Sequence, residues 1–224
     1  IFDVQAGEKK YFTKHLAGHE LFFTRNKVDE TTAPLAKDCQ VLMVFITSKL
    51  TSKVLATMPK LKLIITRSTG FDHIDLEYCE RQGIMVTNVP SYGENTVAEH
   101  AFALILTLSR NIHKSYLRTT REDYRIEGLK GFDLRGKTIG VVGAGKIGLH
   151  LIKMARGFDM QVLTYDVNRN DFLADVLGFK YVSLEELLRR SDIISLHVPE
   201  NKFTHHLINR QNIGLIKKGA LLIN

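Results

Sequence analysis

Lys137-Thr-Ile-Gly-Val-Val-Gly-Ala-Gly-Lys-Ile-Gly148 decides the fold of this 224-residue chain. The apolar run Ile139, Val141, Val142 stops at Gly143-Ala144-Gly145-Lys146-Ile147-Gly148, and Leu149, Ile152, Met154 and Ala155 then recur near one face of a stretch that reaches Phe158. That is the pattern of strand, tight turn and amphipathic helix. Gly143 permits the turn, Gly145 lets the backbone approach a diphosphate, and Gly148 lets the helix pack closely on the strand, while the free amides at the helix start attract phosphate charge. A second apolar run, Met160 to Tyr165, delivers Asp166, 23 positions after Gly143. The acid that accepts hydrogen bonds from the adenosine ribose is expected at roughly 20 positions. Glycines at these spacings arise by chance in ordinary chains; the preceding strand, the following helix and the distal acid make this a dinucleotide site. A carboxylate at Asp166 repels a 2′-phosphate and so favours NAD over NADP, with Arg169 the neighbouring group that would instead accept that phosphate.

Outward from this unit the alternation continues. Ahead of it, β-rich runs (Leu21 to Thr24, Val41 to Ile46, Leu61 to Thr66, Ile84 to Val89) are separated by helical spacing over Glu8 to Leu16, Thr51 to Met58 and Ile74 to Arg81. Pro90-Ser91-Tyr92-Gly93 breaks the pattern, and Thr96 to about Arg121 is predicted as one long helix carrying the apolar block Ala101 to Leu108, too short for a membrane span and suited to burial between domains or subunits. Behind the fingerprint the expected elements are strand 160 to 165, helix 184 to 190, strand 192 to 198, a helix near 210 to 217 and strand 220 to 224. Alternating β and α segments imply an α/β fold of two lobes with parallel sheets. The division predicted is residues 1–97 and 98–224, with a ligand expected in the cleft between the lobes, because open parallel sheets bind at the carboxyl ends of their strands.

Composition excludes several classes of function. Hydrophobic residues at 44% and charged residues at 25% are ordinary for a globular protein. The net charge of +7 comes from scattered Lys and Arg, with no run longer than Arg189-Arg190 or Lys217-Lys218, so no nucleic-acid partner is expected. No apolar stretch reaches the length of a membrane span and no signal peptide opens the chain, so no membrane partner is expected either. Cys39 and Cys79 fit no metal spacing and suit a reducing cytoplasm. His205-His206 lacks the companions of a zinc site, and no metal is expected. His197, within a strand, reads as a packed residue; His73 and His100 read as structural, and Arg67 as an electrostatic neighbour of a substrate.

Arg67-Ser-Thr-Gly-Phe-Asp-His-Ile-Asp75, Val89-Pro-Ser-Tyr-Gly-Glu-Asn-Thr-Val-Ala-Glu-His100, the glycine fingerprint and Ser195-Leu-His-Val-Pro199 together resemble the D-isomer-specific 2-hydroxyacid dehydrogenases, and most closely their D-lactate dehydrogenase members. The resemblance covers essentially the whole chain. It implies a flavodoxin-like N-terminal substrate lobe and a Rossmann-like NAD lobe, C-terminally incomplete, with hydride passing between nicotinamide and a small 2-hydroxy or 2-keto acid. Residue by residue, it implies that the backbone amides at Thr69 and Gly70 hold the substrate carboxylate and that Tyr92 lines the substrate pocket. It likewise implies that Lys146 and Ile147 face the diphosphate, that Val198 and Pro199 lie beside the adenosine, and that Thr204 touches the cofactor. Ser68-Thr69-Gly70 alone would be read as a loop, and Tyr92 alone as loop packing. A homodimer through the NAD lobe is the family habit, and the apolar helix around Phe102 to Leu108 is compatible with it.

Reduction of a keto acid needs a cation for the carboxylate, a proton donor poised near neutral pH and a carboxylate to tune it. The family supplies Arg, His and Glu from its C-terminal third. Asn224 resembles the opening of the segment that carries the arginine, so no catalytic residue is expected within this chain, which reads as truncated or incompletely represented, at its start as well as its end. Competing readings are an NAD-sensing, corepressor-like binding protein, and reduction of glyoxylate, hydroxypyruvate or a phosphorylated serine precursor within the same family. Thr47 stands near where some lactate-type relatives place an aromatic, which leaves side-chain specificity open.

Overall fold

The structure is a computed structural model describing residues 1–224. It divides into two compact units, Ile1–Tyr92 and Gly93–Asn224.

In the first unit, helix α1 (Glu8–His15) precedes strand β1 (Val41–Val44), α2 (Ser52–Leu55), β2 (Leu63–Thr66), α3 (Leu76–Arg81) and β3 (Met85–Thr87). The strands form a parallel sheet in the order β1-β2-β3, with Val41 opposite Leu63 and Leu63 opposite Met85. Two further extended segments flank β1. Phe2 N–H donates to the Met43 carbonyl at 2.9 Å, and Thr24 N–H donates to the Ile1 carbonyl at 3.0 Å. The spatial order is therefore the segment at Thr24, the segment Ile1–Val4, then β1-β2-β3, which is the flavodoxin-like arrangement. The strand predicted over Leu21 to Thr24 is present only as backbone pairing of Phe22 and Thr24 with the segment Ile1–Val4. Phe2, Leu42, Val44, Leu50, Leu55, Met58 and Ile64 fill the core. Buried Asp3 stitches the segment to the loop after β1: its carboxylate accepts from Phe45 N–H at 3.1 Å, from Ser48 Oγ at 2.8 Å and from Thr47 Oγ1.

The second unit opens with α4 (Glu94–Ser109) and α5 (Ile112–Thr119), followed by β4 (Thr138–Val142), α6 (Lys146–Gly157), β5 (Gln161–Tyr165), α7 (Asp171–Leu177), β6 (Lys180–Tyr181), α8 (Leu184–Arg190), β7 (Ile193–Leu196) and β8 (Leu221–Ile223). All five strands are parallel in the order β6-β5-β4-β7-β8, the doubly wound order that leaves a crevice where the winding reverses, between β4 and β7. Central β4 is buried on both faces from Ile139 to Val142, as parallel strands covered by helices on both sides must be.

Several expectations need correction. The single helix from Thr96 to Arg121 is two helices: Asn111 adopts φ of 54°, a left-handed conformation that asparagine tolerates, and its Nδ2 donates to the Lys130 carbonyl at 3.2 Å. The helix near 210 to 217 is one 3-10 turn, Ile213–Leu215. Helix α7 was not anticipated, although its sequence carries both end signals: Asn170 caps the Leu173 N–H at 3.0 Å, and Gly178 closes the helix at φ of 70°. Helix α4 buries Ala98, Ala101, Phe102 and Ile105 in the core of its own unit, against Ile139, Leu151, Ile152 and Met160, so Phe102 is not on the outer face. Leu104 and Leu108 are.

Candidate functional site

The fingerprint lies where β4 ends beside β7. Gly143 has φ of +98°, and a Cβ built on it would stand 2.5 Å from the His197 carbonyl oxygen, so a side chain is excluded by conformation and by space. Gly148 is excluded by space alone: its Cβ would meet the Gly143 carbonyl oxygen at 2.0 Å. Gly145 differs from both. A Cβ there would meet nothing within 4 Å, which leaves an open cradle over the start of α6. No side chain caps that helix start, so the amides of its first turn at Lys146 and Ile147 point outward for an external acceptor. The residues present therefore fit a dinucleotide diphosphate.

Asp166 stands at the rim of this cradle. Its Oδ2 accepts from Ala144 N–H at 2.6 Å and its Oδ1 from Asn168 N–H at 2.8 Å. These two bonds fix the carboxylate at the end of β5 with lone pairs left for ribose hydroxyls. Arg169, the group that would favour a 2′-phosphate, stacks its guanidinium 5.8 Å from the Tyr181 ring centroid. Lys146 turns its ammonium to Glu94 at 3.4 Å and presents its amide, not its charge, to the cradle. Val198 and Pro199 follow β7. Thr204 closes the loop beyond them, its Oγ1 donating to the Pro199 carbonyl at 2.5 Å and accepting from Asn201 N–H at 2.9 Å. The fold thus gathers Gly143, Gly145, Lys146, Ile147, Gly148 and Asp166 at one strand end, with Val198, Pro199 and Thr204 on the loop after the neighbouring strand. His197 bonds Ser195 Oγ at 2.8 Å, and burial holds its imidazole below the ordinary histidine pKa, in keeping with a packed residue.

In the first unit, Thr69 and Gly70 follow β2 on a turn secured from three sides. Thr69 Oγ1 donates to the Val89 carbonyl at 3.0 Å, Asn88 Nδ2 donates to the Thr69 carbonyl at 2.8 Å, and Ser68 Oγ donates to the Gly70 carbonyl at 2.7 Å. The two backbone amides of the turn have no acceptor in the protein. Both residues are exposed, as is Tyr92, which is 63% accessible. Arg67 is not a free cation: it binds Glu8 Oε1 at 2.7 Å and the Phe2 and Asp3 carbonyls at 2.9 Å each. Thr47 is spent on Asp3. Sequence reasoning missed the Asp166 to Ala144 bond and the Lys146 to Glu94 pair; the former has a signal in the acid's spacing, the latter none.

No group of three or more His, Cys, Asp and Glu is placed to hold a metal, and no helix is long and apolar enough to cross a membrane. Both cysteines are free thiols.

Comparison with known proteins gives the family. The NAD binding domain of the D-isomer specific 2-hydroxyacid dehydrogenases matches residues 102–224. A 2-hydroxyacid dehydrogenase homolog of Haemophilus influenzae is 36% identical over all of this chain and 69% of its own length. The D-lactate dehydrogenase of Escherichia coli is 35% identical over the same shares. Among solved structures, D-lactate dehydrogenase from Aquifex aeolicus, complexed with NAD and lactic acid, superposes with a TM-score of 0.94 at 40% identity, over all of this chain and 67% of that one. The chain thus spans about two thirds of the length of these relatives. With its parallel sheets, Rossmann-like unit and glycine cradle, it belongs to the NAD-dependent D-isomer-specific 2-hydroxyacid dehydrogenases.

Proposed function

We propose that the protein interconverts a small D-2-hydroxy acid and its 2-keto acid, with D-lactate and pyruvate as the preferred pair. The observation that carries the substrate reading is the Thr69–Gly70 turn, whose two unpaired amides sit side by side at the end of β2, the donor arrangement a carboxylate requires. Relatives named D-lactate dehydrogenase, and an Aquifex structure holding NAD and lactic acid, support lactate within that class. A glyoxylate reductase of Korarchaeum cryptofilum at 34% identity keeps the smaller keto acid as an outcome of the test.

The cofactor, when bound, supplies the hydride donor and acceptor. The chain's own residues bind and orient: the amides of Lys146 and Ile147 receive the diphosphate, Asp166 receives the ribose hydroxyls and excludes a 2′-phosphate, and Val198, Pro199 and Thr204 border the adenosine. Thr69 and Gly70 fix the acid through its carboxylate, and Tyr92 covers its side chain. The arginine, histidine and glutamate of the family's chemistry are assigned to no residue here. We further assign a homodimer, built on the outer face of α4 and α5, where Leu104, Leu108, Ile112 and Leu117 are exposed, and a cytoplasmic location, which the unpaired thiols support.

Loss of NADH absorbance in the full-length protein tests this. Pyruvate is expected to be reduced faster than glyoxylate or hydroxypyruvate. Tight NADH binding with no oxidation by any keto acid would replace the enzyme by a cofactor sensor.

A further inference from the structure

Beneath the Thr69–Gly70 turn runs a line of buried polar groups that the reaction itself does not use. Ser68 Oγ bonds the Gly70 carbonyl at 2.7 Å, Thr66 Oγ1 lies 2.6 Å from Ser68 Oγ, and His73 Nε2 lies 3.1 Å from Thr66 Oγ1. Thr66 and Ser68 are both buried. Each hydroxyl has one proton, and a carbonyl can only accept, so the direction of every bond is fixed. Ser68 must donate to Gly70. Its proton is then spent, so Thr66 donates to Ser68. The Thr66 proton is then spent as well, so the third bond exists only if His73 Nε2 carries a hydrogen and donates it.

The other ring nitrogen agrees with this assignment. His73 Nδ1 is buried and has no partner. Were it protonated, a donor would be left unpaired in the interior; as a bare nitrogen it leaves only an acceptor, the less costly orphan. Burial also holds the imidazole below its ordinary pKa, opposed by Asp72 and Asp3, the two carboxylates that act on it. His73 is anchored by its backbone too, since Leu50 N–H donates to its carbonyl at 2.9 Å.

We infer that His73, Thr66 and Ser68 form a one-way hydrogen-bond relay, from Nε2–H through two hydroxyls to the Gly70 carbonyl, that holds the Thr69–Gly70 turn closed and so keeps its amides in place for the substrate carboxylate. These are positioning residues. The reasoning is geometric: the Gly70 carbonyl shares its peptide plane with the Phe71 amide, so the relay pins the closing peptide of the turn, while Val89 N–H on the Ser68 carbonyl and Asn88 Nδ2 on the Thr69 carbonyl hold the two planes that carry the Thr69 and Gly70 amides. The inference rests on the substrate reading given above, and its test separates the two.

Nitrogen-15 spectra of the full chain labelled at histidine report the protonation of each ring nitrogen. At pH 7.5, His73 is expected as the neutral Nε2–H form with a bare Nδ1; an Nδ1–H tautomer or an imidazolium would overturn the relay. Thr66→Val keeps the shape and removes the hydroxyl. It is expected to release the tautomer preference and to raise KM for pyruvate about tenfold, the worth of one hydrogen bond, with KM for NADH unmoved. Thr66→Ser is expected to restore both. Equal changes in the two KM values, or a Val variant as good as the Ser variant, would refute a positioning role. Should Thr66→Val fold poorly, Ser68→Ala breaks the same line one link nearer the turn and is read in the same way. Absence of keto-acid binding by the parent protein would remove the carboxylate reading, while the tautomer would still decide the relay.

Discussion

Two alanine substitutions in the same fingerprint are expected to fail in different ways. At Gly145 a methyl group meets nothing within 4 Å, and the residue sits at φ of −69°, which alanine adopts freely. Loss of a favoured N-cap residue and gain from a less flexible unfolded chain are each worth roughly 0.5–1 kcal/mol and opposed, so folding stability changes little. The methyl nevertheless fills the cradle where the diphosphate approaches. Losing one or two charge-assisted bonds costs about 3 kcal/mol, or roughly 100-fold in Kd for NADH. At Gly148 the methyl is driven to 2.0 Å from the Gly143 carbonyl oxygen, and backbone must move by roughly 1.5 Å to relieve it. That overpacking costs about 3 kcal/mol of folding stability, the upper end of its range because no flexible side chain can yield. Fluorescence titration with NADH and urea unfolding, run on both variants, read the two quantities separately. Wild-type NADH affinity in Gly145→Ala would refute diphosphate binding at this helix start.

Asp166→Ala is expected to weaken NADH about tenfold, one charge-assisted bond, while NADPH affinity rises, and paired titrations check it; an unchanged preference would take Asp166 out of the ribose site. Ile105→Ala removes a fully buried side chain that joins α4 to the sheet core, and about 2–5 kcal/mol of stability should go with it in urea unfolding. His73 and His197 both have folded pKa values below the ordinary 6.5. The folded state then binds fewer protons than the unfolded one, so their contribution is complete above pH 6.5 and is lost as pH falls through the folded values. Unfolding midpoints between pH 7.5 and 5 are expected to decline, and a flat profile would contradict the burial of both rings.

The glycine cradle was legible because its signals are local: β4 is a buried run, the turn glycines follow at once, and Asp166 sits one strand later. What escaped depends on contacts made at a distance. Asn111 breaks the helix because the Lys130 carbonyl, 19 residues on, holds it in place. Arg67 read as an electrostatic neighbour of a substrate, but Glu8 folds back onto it, and the Thr47 hydroxyl is taken up by Asp3. The line from His73 to Gly70 depends on side-chain directions and leaves no periodic trace. Helix α7 is the exception, since Asn170 and Gly178 marked both of its ends in plain order.

The placement of Phe2 between Thr24 and Met43 bears on how the first unit is made on the ribosome. This extended segment emerges well before either neighbour, and the loop that binds Asp3 follows later still. Vectorial synthesis therefore leaves an apolar ribbon waiting, naked on both flanks, until some forty residues have been added. Chaperone dependence of nascent chains should accordingly end only once the stretch through Ser48 has cleared the exit tunnel.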